Sequence, residues 1–226
     1  MGLRNYITMK RIWELAIVVL ILIAAFWVWQ SYSSLAVVER TIDLLKSLAD
    51  RNPILAFGLF FVFSMVSTML SPFSTIPIVP VAVLLWGEAA TFFLLTLGWI
   101  SGGSLAYLIG RHVGYPVVTK LISKRRTDYW LKYASEHMTF PIAFLFRAVT
   151  PSETGYIFGL VKFDFWKYLL ITAITETVFA VPIVWASDAF LENNILEFAQ
   201  WILFLVVVFA LAFYIFNKKT RAHRVV

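Results

Sequence analysis

Cysteine is absent from this chain of 226 residues, and charged residues make up only 14% of it. Without cysteine there are no disulfides, no thiolate nucleophiles and no cysteine-ligated metals. The three histidines, His112, His137 and His223, lie in charged flanks and form no ligand cluster. P-loop, zinc-protease, serine-hydrolase and dinucleotide-binding motifs do not occur. We therefore expect a protein that is not an enzyme and needs no cofactor.

Apolar residues are in large excess. They make up 61% of the chain, and the mean hydropathy is +0.82. A soluble domain typically contains about 25% charged residues. A water-soluble fold could not bury so much apolar surface, so the composition indicates a membrane protein. Twenty-one Phe and nine Trp residues suit contact with lipid and with the headgroup belt.

The N-terminal region predicts one span and one surface helix. The apolar run at 12–29 follows several basic residues and is long enough to span a membrane. The alternative is a signal peptide, with residues 34–36 as its small-x-small cleavage site. Residues 37–50 place apolar side chains on one helical face, which predicts a short helix in the membrane interface. Asn52-Pro53 ends this helix.

Residues 54–110 form an apolar stretch with a single charged residue, Glu88. Three prolines interrupt it within nine residues: Pro72, Pro77 and Pro80. These prolines cannot lie inside one regular helix, and broken backbone at membrane depth must be covered by protein or by a water-filled cavity. We predict a re-entrant segment at about 71–86, between spans at about 54–70 and 89–110. The alternative is a loop outside the membrane.

Residues 111–139 form a hydrophilic centre with six Lys and Arg residues against Asp128 and Glu136, which predicts a cytoplasmic loop. An apolar stripe predicts that part of the loop lies on the membrane surface: Val118, Leu121, Ile122, Tyr129 and Tyr133. The net charge of +6 could suit nucleic acid, but the basic residues flank apolar segments. We therefore expect anionic lipid headgroups, not nucleic acid, as the partner.

A second broken segment follows at 140–163. Proline, glycine and charged residues interrupt this apolar stretch: Pro141, Arg147, Pro151, Glu153, Gly155 and Gly159. We predict a second re-entrant segment at about 140–160. Spans follow at about 165–187, with Glu176 near its middle, and at about 198–216.

Residues 188–197 carry Asp188, Glu192 and Glu197 without Lys or Arg, which predicts an outside loop. The basic C-terminal tail indicates the inside.

These segments predict an all-α polytopic membrane protein with about five transmembrane helices and two re-entrant broken segments. Residues 91–98 resemble 166–173, and each stretch follows a proline-interrupted segment. This order favours an inverted repeat with a binding site between its halves. Five spans would place the chain ends on opposite sides, whereas both ends are basic, so the N-terminal orientation stays open.

The order of parts resembles the DedA superfamily, also called the SNARE-associated or VTT-domain family. The resemblance rests on the proline-broken segment, a Gly-rich span that ends in Gly110-Arg111, the basic loop, Phe146-Arg147, Pro151 and Gly159. It covers roughly residues 50–190. The chain then divides into an N-terminal span and interfacial helix (1–53), a VTT-like core (54–190), and a C-terminal span with a basic tail (191–226).

The resemblance also carries functional expectations. Arg147 and Pro151 match the Arg and Pro that follow the basic loop in the family, with one extra residue between them. The second Arg of bacterial members has no counterpart, and Glu153 stands nearby. After Pro77 and Pro80 no acidic residue occurs before Glu88. The family implies translocation of lipids or lipid phosphates, with two re-entrant segments that face each other from opposite sides.

Charged residues in apolar segments are costly and are therefore functional hypotheses. Four residues are the candidate substrate site: Glu88, Arg147, Glu153 and Glu176. The fork of Arg147 matches a phosphate, and its alternative role is an ion pair with Glu153 or Glu176. Glu176 would carry a proton or neutralise Arg147, and Glu88 could instead be a solvated helix end. Five residues are expected to shape the cavity: Pro72, Pro77, Pro80, Pro151 and Gly159.

We expect a transporter or scramblase that moves a phosphate-bearing lipid through a cavity between the re-entrant segments. The lipid would be a phospholipid or a polyprenyl phosphate, in a bacterial or archaeal cell membrane. Two alternatives remain, namely a proton- or ion-coupled carrier of a small solute and a membrane scaffold without transport. The sequence leaves proton coupling and homo-oligomer formation open.

Overall fold

The computed structural model describes residues 43, 46–47, 49–70 and 74–222. The chain divides into two compact units, Met1–Arg51 and Asn52–Val226. In the first unit the described positions are helical. The predicted span at 12–29, most of the predicted surface helix at 37–50, and Pro72 lie outside the described residues.

The second unit is helical, and its described part contains no strand. Its helices in chain order are α1 Pro53–Met69, α2 Val79–His112, α3 Tyr115–Leu121, α4 Lys124–His137, α5 Phe140–Val149, α6 Gly155–Leu160, α7 Phe165–Leu191 and α8 Ile195–Ala222. Two short 3-10 turns, Ile76–Ile78 and Ser152–Thr154, precede α2 and α6.

The first hairpin consists of α1 and the return segment 76–86. Near its turn, Ser67 Oγ lies 3.2 Å from Thr75 Oγ1. At its open end the ring of Phe57 stacks on Trp86, with 4.7 Å between the centroids. The first contact joins the end of α1 to the start of the return segment. The second joins the start of α1 to the end of the return segment, so the two arms are antiparallel.

Prolines begin the helices of this hairpin instead of interrupting them. Pro53 is in the first turn of α1, Pro77 in the 3-10 turn and Pro80 in the first turn of α2. The missing N–H of a proline has no partner to lose in a first turn. The predicted break in the apolar stretch is therefore confirmed, and Pro77 and Pro80 mark helix starts.

Gly87 divides α2 into the return segment and a long arm, 88–112. Its backbone has φ 76° and ψ 170°, a conformation outside the helical region that glycine adopts without strain. The predicted end of the broken segment at Trp86 coincides with this break. In the long arm, Trp99 Nε1 donates to Thr75 Oγ1 (3.1 Å), so the first hairpin's turn lies beside the middle of that arm.

The second hairpin consists of α5, the turn at Pro151–Thr154 and α6. Gly155 and Gly159 let α6 lie directly against the long arm of α2. A Cβ atom at Gly155 would lie 3.1 Å from Gly103 O, and one at Gly159 would collide with the backbone of Tyr107 and Arg111. The turn of this hairpin therefore lies near Gly103, whereas its open end lies near the last turn of α2.

The two hairpins approach the middle of α2 from opposite ends. The first opens towards Gly87, the second opens towards His112, and their turns meet in between. At the meeting point Tyr156 Oη donates to Met69 O (3.3 Å). We call the His112 end the basic end. The Gly87 end is the acidic end, because Glu88 and Asp188 face each other there.

The long helix α7 packs antiparallel along α2. Asp164 caps it, since its Oδ1 accepts from Lys167 N (2.9 Å). Val184 contacts the return segment and the long arm at the acidic end, and Ile171 packs with Tyr107 at the basic end. Pro182 lies inside α7 without ending it. The last helix, α8, packs on α7 and α5 and is largely exposed.

Three described helices are long and apolar enough to cross a membrane: Ile76–His112, Phe165–Leu191 and Ile195–Lys219. Two shorter apolar helices are Pro53–Met69 and Phe140–Val149. The all-helical membrane architecture is confirmed. The count of about five spans, the membrane re-entry of the hairpins and the inverted repeat stay predictions, although 91–98 and 166–173 each lie in a long helix that follows a hairpin.

The basic loop and the acidic loop differ from their predictions. Val118 and Ile122 of the predicted surface stripe are buried against Ala106 and Tyr156, whereas Leu121 and Tyr129 are exposed.

The predicted outside loop at 188–197 shrinks to a turn at 192–194. Asp188 remains in α7, and Glu197 belongs to α8, because Asn194 Oδ1 accepts from Glu197 N (3.3 Å).

The glycine contacts predict a stability difference. Gly159→Ala should lower the melting temperature of the detergent-solubilised protein by several degrees, because backbone that cannot rotate away meets the new Cβ, and overpacking costs about 1–3 kcal/mol. Gly58→Ala is the matched control, since Gly58 lies exposed in α1 with nothing within 4 Å of a Cβ. Equal melting temperatures for the two variants would contradict this packing.

Candidate functional site

A layer of polar side chains crosses the bundle where the two hairpin turns meet. Its members are buried and come from both hairpins and both long helices: Thr75, Trp99, Arg147, Tyr168, Thr172 and Glu176. Apolar clusters lie on either side of this polar layer. One cluster at the acidic end includes Leu95 and Val184, and one at the basic end includes Tyr107 and Phe158. The polar layer is thus enclosed in apolar packing.

An ion pair between Arg147 and Glu176 forms the centre of the polar layer. Arg147 lies in the last turn of α5, is 4% exposed, and donates through Nη2 to Glu176 Oε1 of α7, which is 5% exposed. Removing one partner of a buried pair typically costs about 3–5 kcal/mol, because a buried charge is left uncompensated. The structure brings these two predicted site residues together, as one of the predicted alternatives requires.

One buried polar group of this pair, the Nε–H of Arg147, has no hydrogen-bond partner within the described chain. The hydroxyl of Thr172 lies beside it and interacts with the Tyr168 hydroxyl. An unsatisfied buried donor costs about 1–3 kcal/mol, so such groups are uncommon in native proteins. The side chains of Arg147 and Thr172 meet at Gly103, where a Cβ would lie 3.2 Å from Thr172 Cγ2 and 3.8 Å from Arg147 Nη2. Tyr168 Oη donates to Gly103 O (2.9 Å), so a third side chain of α7 and α5 contacts α2 at this glycine.

Glu153 is buried in the turn of the second hairpin, at 2% exposure, and is paired with a cation from the basic loop. Arg126 Nη1 of α4 donates to Glu153 Oε1 at 3.0 Å, and the Arg126 side chain is 55% exposed. Glu153 is therefore not the partner of Arg147. Its ion pair attaches the amphipathic helix α4 to the turn of the second hairpin.

The basic loop is also held together internally. Tyr115 Oη of α3 donates to Asp128 Oδ1 of α4 at 2.5 Å, and this hydrogen bond raises the pKa of Tyr115 above its ordinary value. It fixes α3 against α4, while Val118 of α3 is buried against Ala106 and Tyr156. The loop is thus a folded element that is attached to the second hairpin by the Arg126–Glu153 pair and by apolar packing on Tyr156.

Glu88 is the predicted site residue that lies farthest from this layer. It follows the break at Gly87 and faces Asp188 at the acidic end, with Glu192 and Glu197 nearby. A partly exposed carboxylate among other carboxylates matches the predicted alternative, a helix end at the surface.

The residues expected to shape a cavity take specific positions. Pro77 and Pro80 start helical turns, and Pro151 precedes the 3-10 turn of the second hairpin. Gly159 allows α6 to pack closely against α2. Their predicted effect on a transport cavity stays a prediction.

Around the two ion pairs, three residues were missed in the sequence: Tyr168, Thr172 and Arg126. The first two had a readable signal. Tyr168, Thr172 and Glu176 follow one another at intervals of four, which places them on one face of an otherwise apolar helix. Arg126 had none, because 27 residues separate it from Glu153 and its neighbours in sequence are equally basic.

Two cavities open at the basic end, away from the four predicted substrate-site residues. One of about 450 Å³ is lined by residues that include Arg111, His112 and Lys162, and one of about 430 Å³ is lined by residues that include Lys162 and Lys167. Among the described residues, no group of three or more His, Cys, Asp or Glu side chains could hold a metal ion.

The Arg126–Glu153 pair predicts energetic coupling. Arg126→Ala leaves a buried carboxylate without its cation, so it should destabilise the solubilised protein more in the native background than in a Glu153→Gln background. We expect a coupling of about 0.5–3 kcal/mol between the two substitutions in denaturation experiments. Arg125→Ala, at the exposed neighbouring position, is the control. Additive effects of Arg126→Ala and Glu153→Gln would exclude the pair.

Comparison with known proteins identifies the family of the chain. The family model of the VTT domain matches residues 71–189, which is more than half of the chain. The matched region includes α2, the basic loop, the second hairpin and most of α7, and therefore the whole Arg147–Glu176 pair. No curated protein and no solved structure gives a match. The chain belongs to the VTT-domain family, the DedA family of integral membrane proteins.

Proposed function

We propose that this protein translocates a phosphate-bearing lipid and that Arg147 receives the phosphate group. One observation carries the proposal: a buried arginine with an unpartnered Nε–H lies beside a threonine side chain, between two hairpin turns. A guanidinium presents parallel N–H donors that match two phosphate oxygens. The Nε–H of Arg147 supplies a donor that the described part of the protein leaves unused.

Glu176 controls access to Arg147 in this proposal. The guanidinium can bind a phosphate fully only when Glu176 releases it, because the two anions compete for the same donors. Protonation of Glu176 would remove this competition. A proton would then enter the polar layer as the phosphate binds, which couples lipid movement to pH.

The bundle would lie with α2 and α7 across the bilayer and with each hairpin re-entering from its own side. The basic end carries Arg111, Lys162 and Lys167, so the positive-inside rule places it in the cytoplasm. The lipid would be a phospholipid or a polyprenyl phosphate in a bacterial or archaeal cell membrane. A proton-coupled carrier of a small anion would use the same ion pair and is the second candidate.

Neutralising both members of the pair tests the phosphate role. Arg147→Gln/Glu176→Gln keeps a hydrogen-bonding pair without burying a lone charge, so the protein should fold. Labelled-lipid translocation in proteoliposomes should fall about 10- to 100-fold, since a hydrogen bond to a charged group is worth about 1.5–3 kcal/mol. Arg125→Ala should leave the rate unchanged.

Undiminished lipid transport by the double variant would reject Arg147 as the phosphate site. The small-solute carrier would be supported instead if the native protein moved no lipid but showed a pH-dependent flux of small phosphorylated anions that the double variant lost.

Glu176→Gln alone tests proton coupling. The native rate should rise as the pH falls, because a neutral Glu176 no longer competes for Arg147. The Gln variant resembles the protonated state, so its rate should be nearly independent of pH. Initial rates in proteoliposomes between about pH 5 and pH 8 measure this difference. A variant that keeps the native pH profile would assign Glu176 a purely structural role.

A further inference from the structure

A cationic cavity lies at the basic end, apart from the polar layer. Its lining includes Arg111 and His112 from the end of α2 together with Lys162, Asp164 and Phe165 from the connection between α6 and α7. Its volume is about 450 Å³. Lys162 and Asp164 also line the neighbouring cavity of about 430 Å³, which adds Lys167. Lys162 therefore stands between two adjoining concave surfaces.

The charges of this surface are not balanced. Asp164 is the acidic residue common to both cavities, and its Oδ1 is engaged as the cap of α7. Arg111, Lys162 and Lys167 form no ion pair with any residue of the described chain. An excess of cations around a concave surface is a site for an anion.

Arg111 is held in place without being neutralised. Its Nη1 donates to Tyr107 Oη (2.7 Å) and to Phe163 O (3.4 Å), and its guanidinium lies 5.9 Å from the Tyr107 ring centroid. Tyr107 Oη in turn donates to Phe163 O. The other N–H groups of Arg111 have no hydrogen-bond partner in the described chain. A guanidinium that is held in one orientation and has N–H donors without partners suits a tetrahedral oxyanion.

Lys162 occupies a backbone position that favours glycine. It follows the end of α6 with φ 55°, and Phe163 N donates back to Phe158 O (3.0 Å), as at helix ends with a left-handed residue. A side chain with Cβ is strained in this conformation, whereas glycine adopts it freely. Glycine would adopt this backbone conformation with less strain, so the presence of lysine here is a reason to examine its ammonium group.

The position of the cavity identifies the source of the anion. His112 is the last residue of α2 and Phe165 the first of α7, so the cavity lies where two membrane-crossing helices end. Trp166, next in sequence to a lining residue, is 73% exposed, as is typical of an aromatic ring at the headgroup level. Cationic pockets between helices on this side of a membrane suit anionic lipid headgroups.

We infer that Arg111, Lys162 and Lys167 form a binding site for the phosphate group of an anionic membrane lipid at the basic end of the bundle. This site is separate from Arg147, which lies about two helical turns away along α2 at the level of Gly103. Binding here is an equilibrium property and is independent of the transport proposed above.

Lys162→Gly separates a binding role from a structural role. The substitution relieves backbone strain, so the melting temperature should stay equal or rise. Binding of phosphatidic acid to the full chain in phosphatidylcholine nanodiscs should weaken about five-fold, and Lys162→Gly/Arg111→Gln should weaken it further. Asn193→Gly is the matched control, because Asn193 has φ 56° at the acidic end. It should relieve a smaller strain, because asparagine tolerates this conformation better than lysine does, and it should leave binding unchanged.

Three results would overturn the inference. The first is native lipid affinity in Lys162→Gly, and the second is equal affinity of the native chain for phosphatidylcholine alone. The third is full competition by millimolar inorganic phosphate, which would assign the site to a soluble phosphate compound. A Lys162→Gly variant with a lowered melting temperature would also contradict the strain argument on which the assignment of Lys162 depends.

Discussion

A buried charge must meet its counter-charge, and in this protein that requirement fixes the centre of the bundle. Arg147 comes from a short helix of the second hairpin, whereas Glu176 comes from the middle of a long helix. Neither could stay in apolar surroundings alone. The register of α5 against α7 is therefore set by one ion pair, and the polar layer forms around it. Under the proposed function, the same pair would also bind substrate, since a third charge can separate two charges that neutralise each other.

The pair can form only because backbone approaches backbone closely around it. Gly155 and Gly159 let α6 lie on α2 without intervening side chains, and Gly103 leaves room beside Tyr168 and Thr172. Small residues serve membrane helices in this way because lipid offers no hydrophobic drive for association. Close contact brings the hairpin turn deep enough for Arg147 to reach α7. The Arg147–Glu176 ion pair therefore depends on the close helix packing at these glycines.

Much of this architecture was predictable, and the reasons are local. Proline clusters and apolar length marked both broken segments, the long helices and the candidate charges Arg147 and Glu176. Contacts set by distant parts of the chain were not predictable. The Arg126–Glu153 pair joins residues of the basic loop and a hairpin turn that no periodicity connects. The burial of Val118 and Ile122 depended on the same docking, so two residues of a stripe typical of a membrane surface proved to face protein.

The meeting of the two turns has a consequence for the electric field. Met65 of the first hairpin reaches α2 at Gly102, and Gly155 of the second hairpin reaches it at Gly103, so the contacts of the two hairpins adjoin at one level. This level lies away from both ends of the long arm, and apolar clusters pack on either side of it. Under the proposed function, the charges of the polar layer would therefore lie inside the field of a membrane potential. A displacement of Arg147, or a proton that arrives at Glu176, would then move charge through part of the potential difference.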